Sequence, residues 1–241
     1  MLNAVQNSLL SLIYPSECRV CSVAIADLDD GVACCGCWAK TRIFQGTEML
    51  CCKCGMFFGD TAAPVPVYCH KCDDHFYDSA AAVGIYEHAL AASIIALKTS
   101  PHLPRRIIDA IRTFNFADVD LLIPIPLSKQ RRIERGFNQA EVLAAAVSRA
   151  SKTPIDAGSL VRKLHTPIHR VGMDEKARDL TVRNAFEVAR PKLISGKNIL
   201  LVDDVLTSGA TVSHCAKILK KYGALRVNVF TLARAVTKAR A

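Results

Sequence analysis

From Ser79 onward, apolar residues fall into two alternating rhythms: short unbroken runs, and longer stretches with one apolar stripe. Residues 79–86 (SAAAVGIY) form a run of strand length, and residues 88–98 (HALAASIIALK) carry the spacing of a helix. Residues 120–126 (DLLIPIP) read as a buried strand cut short by proline, which has no N–H for a ladder. Asn138, with Glu141 three residues later, is an N-cap pair, and Val142, Leu143, Ala146 and Val147 follow on one helical face. Residues 198–204 (NILLVDD) form another buried strand. The helix after Thr211 then turns Val212, Cys215, Ile218, Leu219 and Tyr222 inward and ends at Gly223. Residues 226–233 (RVNVFTLA) close the series as a strand. Such alternation predicts an α/β fold, a mainly parallel sheet with helices on both faces.

The chain before Ser79 has a different character. Apolar residues at 2, 5, 9, 10, 12 and 13 predict a short amphipathic helix, stopped at Pro15. It packs on the body of the protein or, as a second reading, docks on a partner or membrane surface. The segment lacks the basic start and cleavage site of a signal peptide, and no stretch reaches the ~18 apolar residues of a membrane span. Ten of the eleven cysteines lie before residue 73. They pair as Cys18-x2-Cys21, Cys34-x2-Cys37, Cys51-x2-Cys54 and Cys69-x2-Cys72. Each pair offers two thiolates from one turn, so two successive pairs complete a tetrahedral zinc shell. The expectation is two sequential zinc ribbons within residues 1–78, followed by a domain over 79–241. Cys35 and Cys52 sit beside ligand positions and could replace a neighbour; His70 and His75 are weaker candidates. A closed four-thiolate shell leaves no position for substrate, which makes both zincs structural.

Charge follows the same division. Residues 1–78 hold five Lys+Arg against nine Asp+Glu, a net of −4, and the remainder holds 26 against 13, a net of +13. The positive field of the second part suits an anionic ligand, a phosphate ester or a nucleic acid.

The carboxylates Asp203 and Asp204 fall at the carboxyl end of a predicted strand, where open α/β sheets bind ligands. Thr207, Ser208, Gly209, Ala210 and Thr211 follow and lead into a helix, so hydroxyls, backbone N–H groups and a helix dipole combine as a phosphate cradle. No lysine follows the glycine, which excludes a Walker A loop. Paired carboxylates suit vicinal sugar hydroxyls; with the cradle they describe a ribose 5-phosphate site.

The segment LLVDDVLTSGAT resembles the phosphoribosyl pyrophosphate motif of type I phosphoribosyltransferases. IPIPLSKQRRIERGFNQAE and the double zinc ribbon resemble the ComF family of competence proteins, including its GntX-like members. The resemblance implies that Asp203 and Asp204 hold the ribose 2- and 3-hydroxyls, directly or with Mg2+, and that residues 207–211 hold the 5-phosphate. It places Leu127 and Ser128 at the pyrophosphate loop, with Lys129, Arg131, Arg132 and Arg135 nearby, and Lys98 after the first crossover helix. Residues 162–184 resemble the mobile hood of this fold, with Arg162, Lys163, Arg170, Lys176, Arg178 and Arg183 available to close over pyrophosphate. Two departures stand out: Ile168 and His169 where relatives show proline and glutamine, and KTSPHLPRR after Lys98 where relatives continue with an aromatic residue and glycine.

The resemblance further implies a role in natural transformation: binding phosphoribosyl pyrophosphate with Mg2+ and acting with incoming single-stranded DNA. It would do so in the cytoplasm, at the inner face of the cytoplasmic membrane, beside DNA-uptake or helicase proteins. An active phosphoribosyltransferase of nucleotide salvage and a zinc-ribbon adaptor with a non-catalytic second domain are the competing expectations. An aromatic content of 6% offers little platform for stacking on bases.

Overall fold

Strand pairing in this protein follows the aliphatic runs, and the cysteine-rich part supplies little regular structure of its own. The computed structural model describes residues 16–163 and 185–236, so the segment expected as a helix at 2–13 lies outside the described residues. Before Ser79 the main elements are a short helix, α1 (Cys35–Ala39), and an antiparallel pair, β1 (Met49–Leu50) and β2 (Phe57–Gly59). Then come β3 (Ser79–Ile85), α2 (His88–Ala96), α3 (Arg105–Arg112), β4 (Leu121–Pro124), α4 (Lys129–Arg135) and α5 (Gln139–Ser151). The chain continues with β5 (Leu160–Arg162), β6 (Phe186–Val188), β7 (Asn198–Leu206), α6 (Ala210–Lys221) and β8 (Arg226–Arg234). β3, β8, β7 and β4 pair in that order, all parallel, and β5 and β6 form a separate antiparallel pair.

Alternation along β7 divides the core in two. Leu200 and Val202 face a cluster built with Leu90 and Ile94 of α2, Ile107 and Ile111 of α3, and Leu143 and Val147 of α5. Ile199 and Leu201 face the other side, against Val212, Cys215 and Leu219 of α6. Both faces are covered, which is why the strands read as continuous apolar runs. The cysteines divide the same way. Cys18, Cys37 and Trp38 join the first cluster, whereas Cys51, Cys54, Cys72 and Tyr77 join the second.

Three local expectations change. β7 continues to Leu206, because β8 pairs with it as far as Leu206↔Arg234; β4 stops at Pro124↔Val202. Tyr222 is 39% exposed, since it lies one residue past the end of α6, where the helical stripe no longer applies. Asn138 caps α5 by accepting from the Ala140 N–H, yet Glu141 does not complete the pair: Arg132 holds its carboxylate at 2.6 and 3.3 Å. Among the described residues no helix is long and apolar enough to cross a membrane.

Candidate functional site

The two carboxylates occupy the part of β7 that outruns β4. Past Val202 one edge of β7 has no partner strand among the described residues, and Asp203 and Asp204 stand there, partly buried, at the carboxyl end of the sheet. Asp203 Oδ1 accepts the Asp204 N–H at 3.0 Å, which fixes one carboxylate against the backbone. Burial, and next the Asp204 charge, push the Asp203 carboxyl up to about 8; the Asp204 N–H and Arg162 oppose them. Arg162 of β5 is itself held below its ordinary range by burial and by the Arg131 charge, and its guanidinium lies 5.2 Å from the Phe186 ring centre. Arg131, Arg162 and Asp203 therefore share one electrostatic neighbourhood. Cys215, beneath them in α6, is fully buried and its thiol is pushed up by burial and by Asp203, so it behaves as a core residue.

The loop after β7 turns sharply into α6. Thr207 and Ser208 are exposed, with hydroxyls open to a ligand, and Ser208 Oγ accepts the Ala210 N–H at 3.4 Å. Gly209 is buried with φ 84°, a left-handed conformation that costs other residues roughly 1–2 kcal/mol. From there Ala210 and Thr211 begin a 12-residue helix, whose first N–H groups point back toward the loop. The combination presents hydroxyls and backbone donors to an anion.

The residues after β4 form a second arm. Ser128 is buried and caps α4, its Oγ accepting the Arg131 N–H at 3.3 Å, while Leu127 is partly buried just before it. Lys129, Arg131, Arg132 and Arg135 are thus carried on a helix of seven residues instead of a loop. Arg132 is engaged by Glu141, and Arg135 donates to Gln139 Oε1 at 2.9 Å. Asn138 ties this arm to the sheet through Nδ2 to the Ile125 carbonyl at 2.9 Å. Lys98 lies exposed beyond α2, and no hydrogen bond or ion pair among the described residues links it to the carboxylates. Arg178, His169 and the rest of 164–184 lie outside the described residues.

Sequence reasoning missed two groups. Gln139 is 2% exposed and its Nε2 has no partner among the described residues, although Arg135 fixes the amide by bonding its oxygen. An orphaned buried donor costs about 1–3 kcal/mol, and its only sequence signal is a polar residue at the buried start of a helix. Arg234, 4% exposed at the end of β8, is the other; a lone cation closing an apolar strand was its signal.

The cysteines form two compact groups, Cys18, Cys21, Cys34, Cys37 and Cys51, Cys54, Cys69, Cys72, with all four sulfurs of each group within 4.8 Å of one another. Close Sγ pairs lie at 3.7 and 3.6 Å in the first group and 3.6, 3.4 and 3.4 Å in the second. The edge of a tetrahedron of zinc-bound sulfurs is roughly 3.8 Å, whereas a disulfide needs about 2.0 Å. Backbone N–H groups serve the sulfurs as well: Val20 and Cys34 donate to Cys18 Sγ at 3.4 and 3.3 Å, and Cys69 donates to Cys51 Sγ at 3.3 Å. Burial alone would raise the Cys18 thiol, but the Cys34, Val20 and Cys21 N–H groups, with the Cys21 side chain, outweigh it and bring it to about 6. The donor set thus fits a thiophilic ion such as zinc at both groups. Cys35 and Cys52 are exposed and belong to neither group. His75 also stays out, its Nδ1 lying 2.7 Å from the Tyr77 hydroxyl.

Residues 138–240 match the phosphoribosyl transferase domain, a span that includes β7, its loop and α6. Competence protein F of Haemophilus influenzae is 37% identical over 128 residues, 53% of this chain and 56% of that protein. Competence protein ComFC of Bacillus subtilis is 36% identical over 115 residues, 47% of this chain and 44% of that protein. The chain therefore spans about half the length of these two relatives. The DNA utilization protein YhgH of Salmonella typhi aligns over 231 residues, 92% of this chain and 99% of that protein, at 26% identity. With two four-cysteine groups ahead of the span that matches the phosphoribosyl transferase domain, the chain is similar to competence protein F, ComFC and YhgH.

Proposed function

We propose that the protein binds phosphoribosyl pyrophosphate at the carboxyl end of β7 and serves DNA uptake, handling incoming single-stranded DNA. The observation that carries the reading is the carboxylate pair on the end of β7 that runs past β4, followed directly by a hydroxyl-rich loop at a helix start. Asp203 and Asp204 would accept hydrogen bonds from the ribose 2- and 3-hydroxyls. Residues 207–211 would donate to the 5-phosphate from hydroxyls and backbone. Lys129 and Arg131, with Leu127 and Ser128 at the turn, would face the diphosphate, and Gln139 Nε2 is a buried donor in the same arm. The carboxylates fit Mg2+, a hard cation that takes oxygen ligands and would neutralise the diphosphate charge. The two thiolate groups would hold structural zinc. The names of the relatives, competence protein F, ComFC and DNA utilization protein YhgH, support the setting.

Should the site turn over, diphosphate would leave C1 of the ribose with its bonding electrons, and an acceptor would form the new bond at that carbon. The protein's part is electrostatic: basic side chains of α4 stabilise charge that grows on the departing diphosphate. The basic remainder of the chain and the proximity of Arg131 and Arg162 also suit a DNA phosphate backbone, with partners among DNA-uptake or helicase proteins at the cytoplasmic membrane.

Calorimetric titration of phosphoribosyl pyrophosphate with Mg2+ into the wild type and the Asp203→Ala/Asp204→Ala variant tests the site. Saturable binding lost in the variant supports it, and no binding by the wild type overturns it. Release of pyrophosphate on adding single-stranded DNA or nucleobases would then distinguish an enzyme from a binding protein.

A further inference from the structure

The geometry points to a coupling between the second thiolate group and the phosphate loop, with Arg234, His75 and Tyr77 as positioning residues that hold the loop in its binding shape. The inference rests on the reading of residues 207–211 as the phosphate cradle.

Arg234 stands between the two sites. Its Nε donates to the Cys54 carbonyl at 3.1 Å and its Nη2 reaches the Cys54 sulfur at 3.9 Å, so one end of the guanidinium is committed to a metal-ligand residue 180 positions away. Nη1 donates to the Leu206 carbonyl at 2.7 Å and also to the Thr207 carbonyl, the last residue of β7 and the first of the loop. A guanidinium carries donors in a fixed planar fork, so moving Cys54 moves the donors beneath Thr207. Buried charge-assisted bonds of this kind are among the stronger polar contacts.

Two further ties follow the same route. The His75 ring and the Tyr77 hydroxyl lie against Gly209: a Cβ built there would stand 2.7 Å from His75 Cε1 and 3.2 Å from the Tyr77 oxygen. They pack where the left-handed turn leaves no side chain. Next to them, the Phe76 N–H donates to Ser213 Oγ at 3.0 Å in the first turn of α6, and Lys217 lies over the Phe76 ring at 4.5 Å. Carbonyls at the loop's start, its glycine and the first turn of its helix are thus all held by the segment carrying the second group or by Arg234 bound to it. The first group packs in the other core cluster, on the opposite face of the sheet, beside α2 and α3. Metal in the second group should therefore govern the cradle, and metal in the first should not.

The test uses the full chain with its zinc content measured. Cys69→Ser/Cys72→Ser and Cys34→Ser/Cys37→Ser each remove one group. Phosphoribosyl pyrophosphate with Mg2+ is titrated, and hydrogen exchange of the segment 204–216 is followed without ligand. We expect both variants to lose one zinc, but only the second-group variant to bind about tenfold or more weakly and to exchange faster at Ser213, whose N–H bonds the Gly209 carbonyl at 2.9 Å. A second-group variant that has lost its zinc and keeps wild-type exchange overturns the coupling. Should that variant fail to fold, Arg234→Ala and Arg234→Lys replace it at unchanged zinc content, with affinity and exchange expected in the order wild type, lysine, alanine; equal values in all three overturn the coupling. A wild type that binds no phosphoribosyl pyrophosphate defeats the reading of the site, while the ligand-free exchange comparison still decides the coupling.

Discussion

Replacing Gly209 by alanine places a single methyl group at the junction of the loop, α6 and the cysteine-rich part. The φ of 84° is one that L-residues disfavour by roughly 1–2 kcal/mol. The new Cβ would also meet His75 Cε1 at 2.7 Å and His75 Nδ1 at 3.1 Å, distances at which the ring must shift. Forcing a methyl into a packed site costs typically about 1–3 kcal/mol, giving a combined penalty of roughly 2–5 kcal/mol. Gly46→Ala is the matched control: its φ is 87°, and nothing lies within 4 Å of its ideal Cβ, so only the backbone term applies. Urea denaturation of reduced, zinc-loaded protein should show Gly209→Ala losing the larger amount.

The loop has one escape, which is to leave the left-handed conformation and relieve the strain. Stability then recovers, but phosphate binding must restore the strained shape, and each 1.4 kcal/mol so spent weakens binding tenfold. Titration of phosphoribosyl pyrophosphate therefore belongs with the melts, because the penalty should emerge in one measurement or the other. Adding His75→Ala to Gly209→Ala removes the ring that the methyl strikes and should restore part of the loss, a coupling that a double-mutant cycle isolates. The reasoning fails if Gly209→Ala matches Gly46→Ala in both stability and ligand titration.

Three further outcomes are expected. Reduced protein should carry close to two zinc ions per chain by native mass spectrometry, one for each four-cysteine group, and a content below one contradicts the assignment. Without Mg2+, the folded Asp203 carboxyl, raised to about 8 by burial and the Asp204 charge, keeps a proton that the unfolded chain releases near 3.8, so its contribution to stability is full below about pH 4 and is lost as pH rises through 8. Asp203→Asn should flatten that decline in melts at pH 5, 7 and 9, and parallel curves for variant and wild type would exclude it. Single-stranded DNA affinity should fall steeply with salt, by a log–log slope of about 0.7 per phosphate neutralised, and Lys129→Ala with Arg131→Ala should shallow it; a salt-independent affinity removes the basic arm as the contact surface.

What could be read from the chain is what its neighbours in sequence decide. A buried strand announces itself in its own residues, and so does a C-x2-C turn, because both thiolates come from one short segment. The loop after Asp204 was legible for the same reason: hydroxyls, glycine and helix start are consecutive. Where an outcome depended on competition between two local options, the pattern was silent. Glu141 has the spacing to turn back and complete the Asn138 cap, but Arg132 offers a charged fork nine residues earlier and holds it. The three-residue strands β5 and β6 are too short to show a period, so their pairing, with Arg162 close enough to Asp203 for the two charges to interact, left no trace in the apolar pattern.

Arg234 shows the limit most clearly. In its own strand it is only a cation after the apolar run VFTLA, equally suited to a solvated strand end. Its buried role requires the Cys54 carbonyl from the cysteine-rich part and the Leu206 and Thr207 carbonyls from the next strand of the sheet, which meet only because β8 lies beside β7 in parallel register. No rule of spacing links positions 54, 206 and 234. The backbone carbonyls that choose this arginine are present in every residue and leave no trace in composition. A residue whose only trace in the sequence is a cation ending an apolar strand thus ties the cysteine-rich part to the loop after β7 through backbone carbonyls of both.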